Sequence, residues 1–243
     1  MYATALALTE SYRVSQARVA SKVTAQSLIA FRTLLDLSDL NGSFTQYLAL
    51  QNILIGAGRQ ETAGLAGAYY ETHRLASGVD GTTEIVYADP LTLDQTAASL
   101  LYTGPVTVKR SLAKGNTLEA AMRAAESATL GAIFRIVADG GRGTVQRTAH
   151  RDGKALGFAR ITDGKPCYFC AMLASRGFVY KSEETAGGQY HDRCGCIAQP
   201  AYAPDVALPE RSQTFSDLWS ATTGDHDGAD KIRAFRRAYD AQR

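Results

Sequence analysis

Pro166-Cys167-Tyr168-Phe169-Cys170, followed twenty residues later by Tyr190-His191-Asp192-Arg193-Cys194-Gly195-Cys196, decides how this chain is read. The two runs hold all four cysteines and one of the four histidines, spaced C-x2-C-x20-H-x2-C-x-C. Each short limb lets one turn present two ligands on the same side. Two limbs closing one loop is the spacing of structural zinc sites, where thiolates and imidazole complete a tetrahedron. Five donors compete for four seats. If Cys194-Gly195-Cys196 runs extended, its two side chains point to opposite faces. The reading therefore favours Cys167, Cys170, His191 and Cys194 as metal ligands, with Cys196 as substitute. Pro166 fixes the approach to the first limb, and Gly195 loosens the second. Lys165, Arg176, Lys181 and Arg193 add positive charge that favours thiolate over thiol.

The competing reading is a pair of disulfides. The first thirty residues carry Glu10, Arg13, Arg18 and Lys22 among the apolar positions, so no secretory signal is expected. Disulfides are rare in protein kept in the cytosol, and structural zinc is the expectation.

Outward from this centre, the 243 residues suffice for one sizeable domain or two small ones. A hydrophobic content of 45% with 21% charged residues is that of a globular chain. The net charge of +2 gives no overall footprint for binding a polyanion. No apolar run is long enough to span a bilayer, so no membrane partner is expected.

Toward the N-terminus the pattern is helical. Residues 1–37 read as one long helix, broken at Asn41-Gly42-Ser43. Ser43 starts a second helix, which Gly56-Ala57-Gly58 interrupts or bends. A third runs from about Arg59 to Ser77, with His73 as a capping or surface residue. Thr82 to Tyr87 is a candidate short strand ending at Asp89-Pro90. Helices resume at about 92–102 and after Pro105. Thr117 caps an alanine-rich helix expected to end at Gly140-Gly141, followed by a basic connector with Arg142, Arg147, His150 and Arg151. Ala155 to Ile161 reads as a strand feeding the first cysteine limb, with Gly177 to Tyr180 and Cys196 to Ala198 as further short strands. A tail spaced by Pro200, Pro204 and Pro209 leads to helices at 212–220 and 227–243, the last rich in arginine and expected to be solvated. The expected class is α+β, mainly α. Its parts are a helical domain at 1–152, a Cys/His zinc-knuckle module at 153–200, and a proline-spaced linker with C-terminal helices at 201–243.

The runs Gly157-Phe158-Ala159-Arg160-Ile161-Thr162, Pro166-Cys167, Phe169-Cys170-Ala171-Met172-Leu173-Ala174-Ser175-Arg176-Gly177, Val179-Tyr180-Lys181-Ser182 and Tyr190-His191-Asp192, with Cys194 and Cys196, carry a resemblance. They are similar to the phage Mu F-like minor capsid, or head morphogenesis, proteins of actinobacterial tailed phages. Leu65-Ala66, Ala68-Tyr69-Tyr70, Leu218-Trp219 and Phe235-Arg236 add to the likeness. The resemblance implies a virion protein, present in few copies, made in the host cytoplasm and held inside the head near the portal. The portal protein, the major capsid protein and packaged double-stranded DNA are the implied partners. Head assembly, DNA packaging or ejection are the implied roles.

An enzyme is the contrasting reading. Some relatives are labelled capsid maturation proteases, but no G-x-S-x-G motif or defensible Ser/His/Asp set occurs here. A zinc deaminase pairs H-x-E with P-C-x-x-C. Here His150-Arg151-Asp152 offers an aspartate, one methylene short, and His191, Cys194 and Cys196 would have no role. A cysteine hydrolase would need a free thiolate beside His191. The expectation is a non-enzymatic protein with structural zinc.

Overall fold

A computed structural model of the chain describes residues 2–182, 190–204, 206 and 209–242. The described residues are mainly helical, with one two-stranded sheet. Helices α1 (Tyr2–Leu34) and α2 (Leu40–Ala76) are joined by a five-residue turn and pack along each other. Helix α5 (Leu118–Arg151) lies against both. Between α2 and α5 come α3 (Leu93–Leu101), a π-helical segment Tyr102–Val106 holding Pro105, and α4 (Thr107–Ala113). Strand β1 (Gly157–Ile161), α6 (Tyr168–Ala174) and β2 (Ile197–Ala201) follow, then α7 (Glu210–Thr223) and α8 (Gly228–Asp240). Arg243 of the expected terminal basic helix lies outside the described residues.

Several sequence expectations change, each for a local reason. Asp39, not Ser43, caps α2: its carboxylate accepts from the Gly42 N–H at 2.9 Å. The Ser43 hydroxyl accepts from the Asp36 N–H instead, closing the turn from α1. Gly56-Ala57-Gly58 does not interrupt the helix, so the second and third expected helices are one. Gly58 is an approach point: a Cβ there would sit 2.7 Å from Val23 and 3.0 Å from Val137. Gly140-Gly141 does not end α5 either, and the supposed basic connector is the last part of that helix. The glycines are where α5 meets the backbone of α2 and the polar side chains of α1.

The Thr82–Tyr87 candidate forms no strand. It runs along α5 with its backbone bonded to side chains: the Val86 N–H donates to Thr148 Oγ1 and the Ala88 N–H to Thr144 Oγ1. His73 is buried rather than superficial, set between the rings of Tyr69 and Tyr202. Gly177–Tyr180 contributes a single bridge, Tyr180 to Phe158. Pro200 belongs to β2, not to the tail. It faces Phe158, whose own N–H and C=O are engaged by Tyr180, so the missing proline donor costs the ladder nothing.

Strands β1 and β2 pair antiparallel, Gly157 opposite Ala201 through Ile161 opposite Ile197, and all ten positions are buried. Burial on both faces explains the lack of alternation in their sequences. Two large apolar cores form among the described residues. One joins α1, α2, α3 and α5 (Val19, Phe31, Tyr47, Ile55, Leu100, Ile133). The other is shared by Tyr12, Tyr70 and Val145 of the long helices with Phe158, Leu173, Ile197, Phe215 and Phe235 of the later elements. A buried ion pair, Arg74 with Asp152 at 3.0 Å, ties the end of α2 to the end of α5 beside this second core.

Candidate metal centre

The four cysteines form a small cluster of their own beside the second core, with Tyr190 against it. Cys167 occupies the N-cap position of α6 with extended backbone, and its sulfur accepts the Cys170 N–H at 3.4 Å. The first limb is thus a helix start, which places Cys170 one turn on and fully buried. The second limb is a tight turn in which the Cys194 N–H bonds to the His191 carbonyl. That turn requires Arg193 at φ 60, a left-handed conformation unusual for a side-chain-bearing residue. Helix α5 holds it there. The Arg193 N–H reaches the Gly131 carbonyl, and its guanidinium donates to the carbonyl and hydroxyl of Ser127.

The imidazole is oriented as a metal ligand would be: His191 Nδ1 lies 2.8 Å from the Asp192 carbonyl, a partner for an N–H there, and Nε2 is the nitrogen that faces the sulfurs. Nε2 lies 3.0 Å from Cys167 Sγ and 3.4 Å from Cys170 Sγ. Cys170 Sγ is 3.6 Å from Cys194 Sγ. Two triads result, Cys167–Cys170–His191 and Cys170–Cys194–Cys196, and each keeps its ligand atoms within 4.8 Å. With zinc–sulfur bonds of about 2.3 Å, tetrahedral geometry places sulfurs about 3.8 Å apart, close to the spacing here. A disulfide needs sulfurs at about 2.05 Å, and all four cysteines are free.

Cys196 also comes within reach, so the expectation that Cys194 and Cys196 face apart does not describe this turn. Gly195 has a different part from the one expected. Its N–H donates to Asp163 Oδ2 at 3.1 Å, and a Cβ there would meet that oxygen at 2.5 Å. The glycine admits a carboxylate that fixes the second limb.

The donor set suits a cation. The hydrogen bond with Cys170 pulls the Cys167 thiol down to about 5, and Cys170 likewise lowers Cys194. Cys170 itself is driven far up, because it serves Cys167, Cys194 and Cys196 at once. Four packed sulfurs cannot all ionise unaided, and a thiophilic divalent ion removes that conflict. The cluster can hold a metal ion and is compatible with zinc.

The positive groups that bear on the sulfurs were not legible beforehand. They are Arg142 of α5 and Arg160 of β1, rather than the four basic residues nearest in sequence. Arg142 donates to the carbonyls of both Cys194 and Cys196 and to Asp139. Arg160 Nη1 lies 3.5 Å from Cys170 Sγ. His150, weighed as part of a deaminase motif, is exposed at Lys181 and falls in neither triad. Asp152 of the same motif is bonded to Arg74, Tyr70 and the Lys154 N–H. No described helix is long and apolar enough to cross a membrane.

With this geometry in view, comparison with known proteins finds a family match. The family model described as VG15 protein matches residues 4–221, and the chain belongs to that family. The membership suggests a phage-encoded protein, in keeping with the broad part of the resemblance noted above. No curated protein matches, and no solved structure matches.

Proposed function

We propose that this chain is a non-enzymatic structural protein of a tailed-phage head, a Mu F-like minor capsid protein held inside the head near the portal. Its Cys/His cluster serves as a zinc staple for folding. The observation that carries this reading is the convergence of Cys167, Cys170, His191, Cys194 and Cys196 from two limbs into two triads that share Cys170, each with its ligand atoms within 4.8 Å of one another. Residues of the chain can fill every seat, which leaves zinc no position for water or substrate. Family membership supports the phage setting. Portal and major capsid proteins are the expected partners, with packaged DNA as a third.

The test co-expresses the chain with portal and major capsid proteins. One zinc per chain, co-purification with portal or shells, and a major capsid protein of unchanged length are expected. Shortening of the capsid protein that depends on one Ser, Cys or His of this chain would overturn the reading in favour of a maturation protease.

A further inference from the structure

Residues 82–91 run over the groove between α2 and α5, and their backbone is held from the α5 side. The N–H groups of Val86 and Ala88 donate to Thr148 and Thr144, one helical turn apart. In an extended chain, alternate residues turn their N–H and C=O to opposite sides. Those of Ile85 and Tyr87 therefore point away from Thr144 and Thr148, and among the described residues these four groups have no hydrogen-bond partner. The two side chains are anchored all the same. A Cβ added to Gly67 of α2 would meet Ile85 at 3.2 Å and the Tyr87 hydroxyl at 3.4 Å. The result is a strand-like edge fixed on one side and open on the other.

Beside this edge lies a groove of about 520 Å3, lined by Gly56, Gln60, Ala63 and Gly64 of α2 and by Tyr87 and Leu91. Nothing lies within 4 Å of a Cβ added at Gly56 or Gly64, so the floor is open to an incoming chain. Arg59, also in the groove wall, is turned to the carbonyls of Ile136 and Asp89. Glu61 precedes Gly64 by three residues and Glu71 follows it by seven, so both share that side of the helix. Both are exposed, and among the described residues neither pairs with a cation.

We propose that this edge and groove dock an extended, basic segment of another polypeptide, which adds a strand beside Ile85 and Tyr87. Backbone donors and acceptors that recur at every second residue are answered together by another extended backbone. A floor of glycine and alanine admits that backbone close to α2. The two unpaired carboxylates favour lysine or arginine in the incoming segment and disfavour an acidic one. Tyr87, 56% exposed, offers its ring to a β-branched side chain on the added strand. None of these residues belongs to the Cys/His cluster, so docking is independent of zinc.

The test selects peptides from a random dodecapeptide library on the full chain, with counter-selection on Gly64→Leu. Leucine at this exposed helical position fills the groove and leaves the fold intact, which circular dichroism and the urea midpoint verify. Peptides enriched on the wild type should carry β-branched residues with lysine or arginine. Their affinity should fall about tenfold or more on Gly64→Leu. Glu61→Lys and Glu71→Lys should each weaken them by up to about fivefold, and by less at high salt. Amide exchange followed by NMR should find Ile85 and Tyr87 unprotected in the free chain and protected in the complex, with Val86 and Ala88 little changed. Selected peptides that bind Gly64→Leu equally, that are acidic, or that leave Ile85 and Tyr87 exchanging as in the free chain would overturn the proposal. So would a selection that yields no peptide. A dimer seen by light scattering and lost in Gly64→Leu would assign the edge to a second copy and overturn it too.

Discussion

Gly140→Ala and Gly141→Ala in α5 should each destabilise the protein by about 2 kcal/mol, opposite in sign to the usual effect of removing a helical glycine. In an exposed helix interior the same change gains up to about 1 kcal/mol. Here the space is taken. A Cβ at Gly140 would lie 2.5 Å from the Arg59 carbonyl oxygen and 2.8 Å from Thr62 Oγ1. At Gly141 it would lie 2.3 Å from Gln16 Oε1, 2.6 Å from the Tyr12 hydroxyl and 2.9 Å from the Thr62 carbonyl. Ordinary contact starts at 3.4 Å, so α2 must withdraw about 0.9 Å at Gly140. A retreat of that size forfeits about a quarter to a half of each dispersion contact along the interface. Overpacking of this kind costs about 1–3 kcal/mol, which outweighs the propensity gain. At Gly141 the bond from Tyr12 to Gln16, 2.7 Å long, must also yield, at a further cost of about 1 kcal/mol. Urea unfolding followed by circular dichroism, at fixed zinc and protein concentration, reads the change as a lower midpoint. Gly56→Ala and Gly64→Ala in α2 are the controls, because nothing lies within 4 Å of either added methyl. They should leave the midpoint unchanged or raise it. If Gly140→Ala and Gly141→Ala raise the midpoint as the controls do, the close approach of α5 to its neighbours is refuted.

Burial lowers His73 to about 4, whereas an unfolded histidine titrates near 6.5. As pH falls below about 6.5 the unfolded chain takes up a proton that the folded chain refuses, so about 3 kcal/mol of stability is lost by pH 4. His73→Leu should remove that part of the acid slope, and identical slopes in both proteins would disprove it. Asp152→Ala strands the buried Arg74 and should cost about 3 kcal/mol in urea unfolding; a change under about 0.5 kcal/mol, typical of a surface pair, would count against the ion pair. Chelation should speed amide exchange in β1, β2 and α6 while amides near Ile55 and Ile133, in the other core, stay protected. Uniform exchange with and without chelator would remove the staple from the account.

The residues decided much of this architecture, and the departures have a common cause. Thr117 caps α5 as its sequence indicates, accepting the Ala120 N–H at 3.2 Å. The strand before the first cysteine limb also forms where expected. Glycine at 56–58 and at 140–141 reads from sequence as a helix breaker, because singly it lowers helix propensity. Only the neighbouring helix reveals that a missing Cβ is an approach point. His73 stands near a helix end, which suggests a capping or surface position, but Tyr202, far along the chain, covers it. The same limit hid Arg142 and Arg160. Spacing finds ligands that share a turn, whereas a group that answers their charge can come from any element the fold brings near.

In the proposed reading the strands and the Cys/His cluster depend on one another. A two-stranded sheet is marginal alone, and among the described residues β1–β2 has no third full strand, since Tyr180 adds one bridge. Its support comes from α5 on one side and from α6, α7 and α8 around the shared core. The cysteines sit at the edges of those parts. Cys170 is in α6, Cys196 adjoins β2, and Arg160 reaches Cys170 from β1. An ion binding these sulfurs therefore fixes helix against sheet where the apolar area of either is small. Tyr12, Tyr70 and Val145 carry that constraint into the long helices, whereas Phe31, Tyr47 and Ile133 lie in the other core. The proposed staple would thus act on one end of the molecule and leave the other to helix packing.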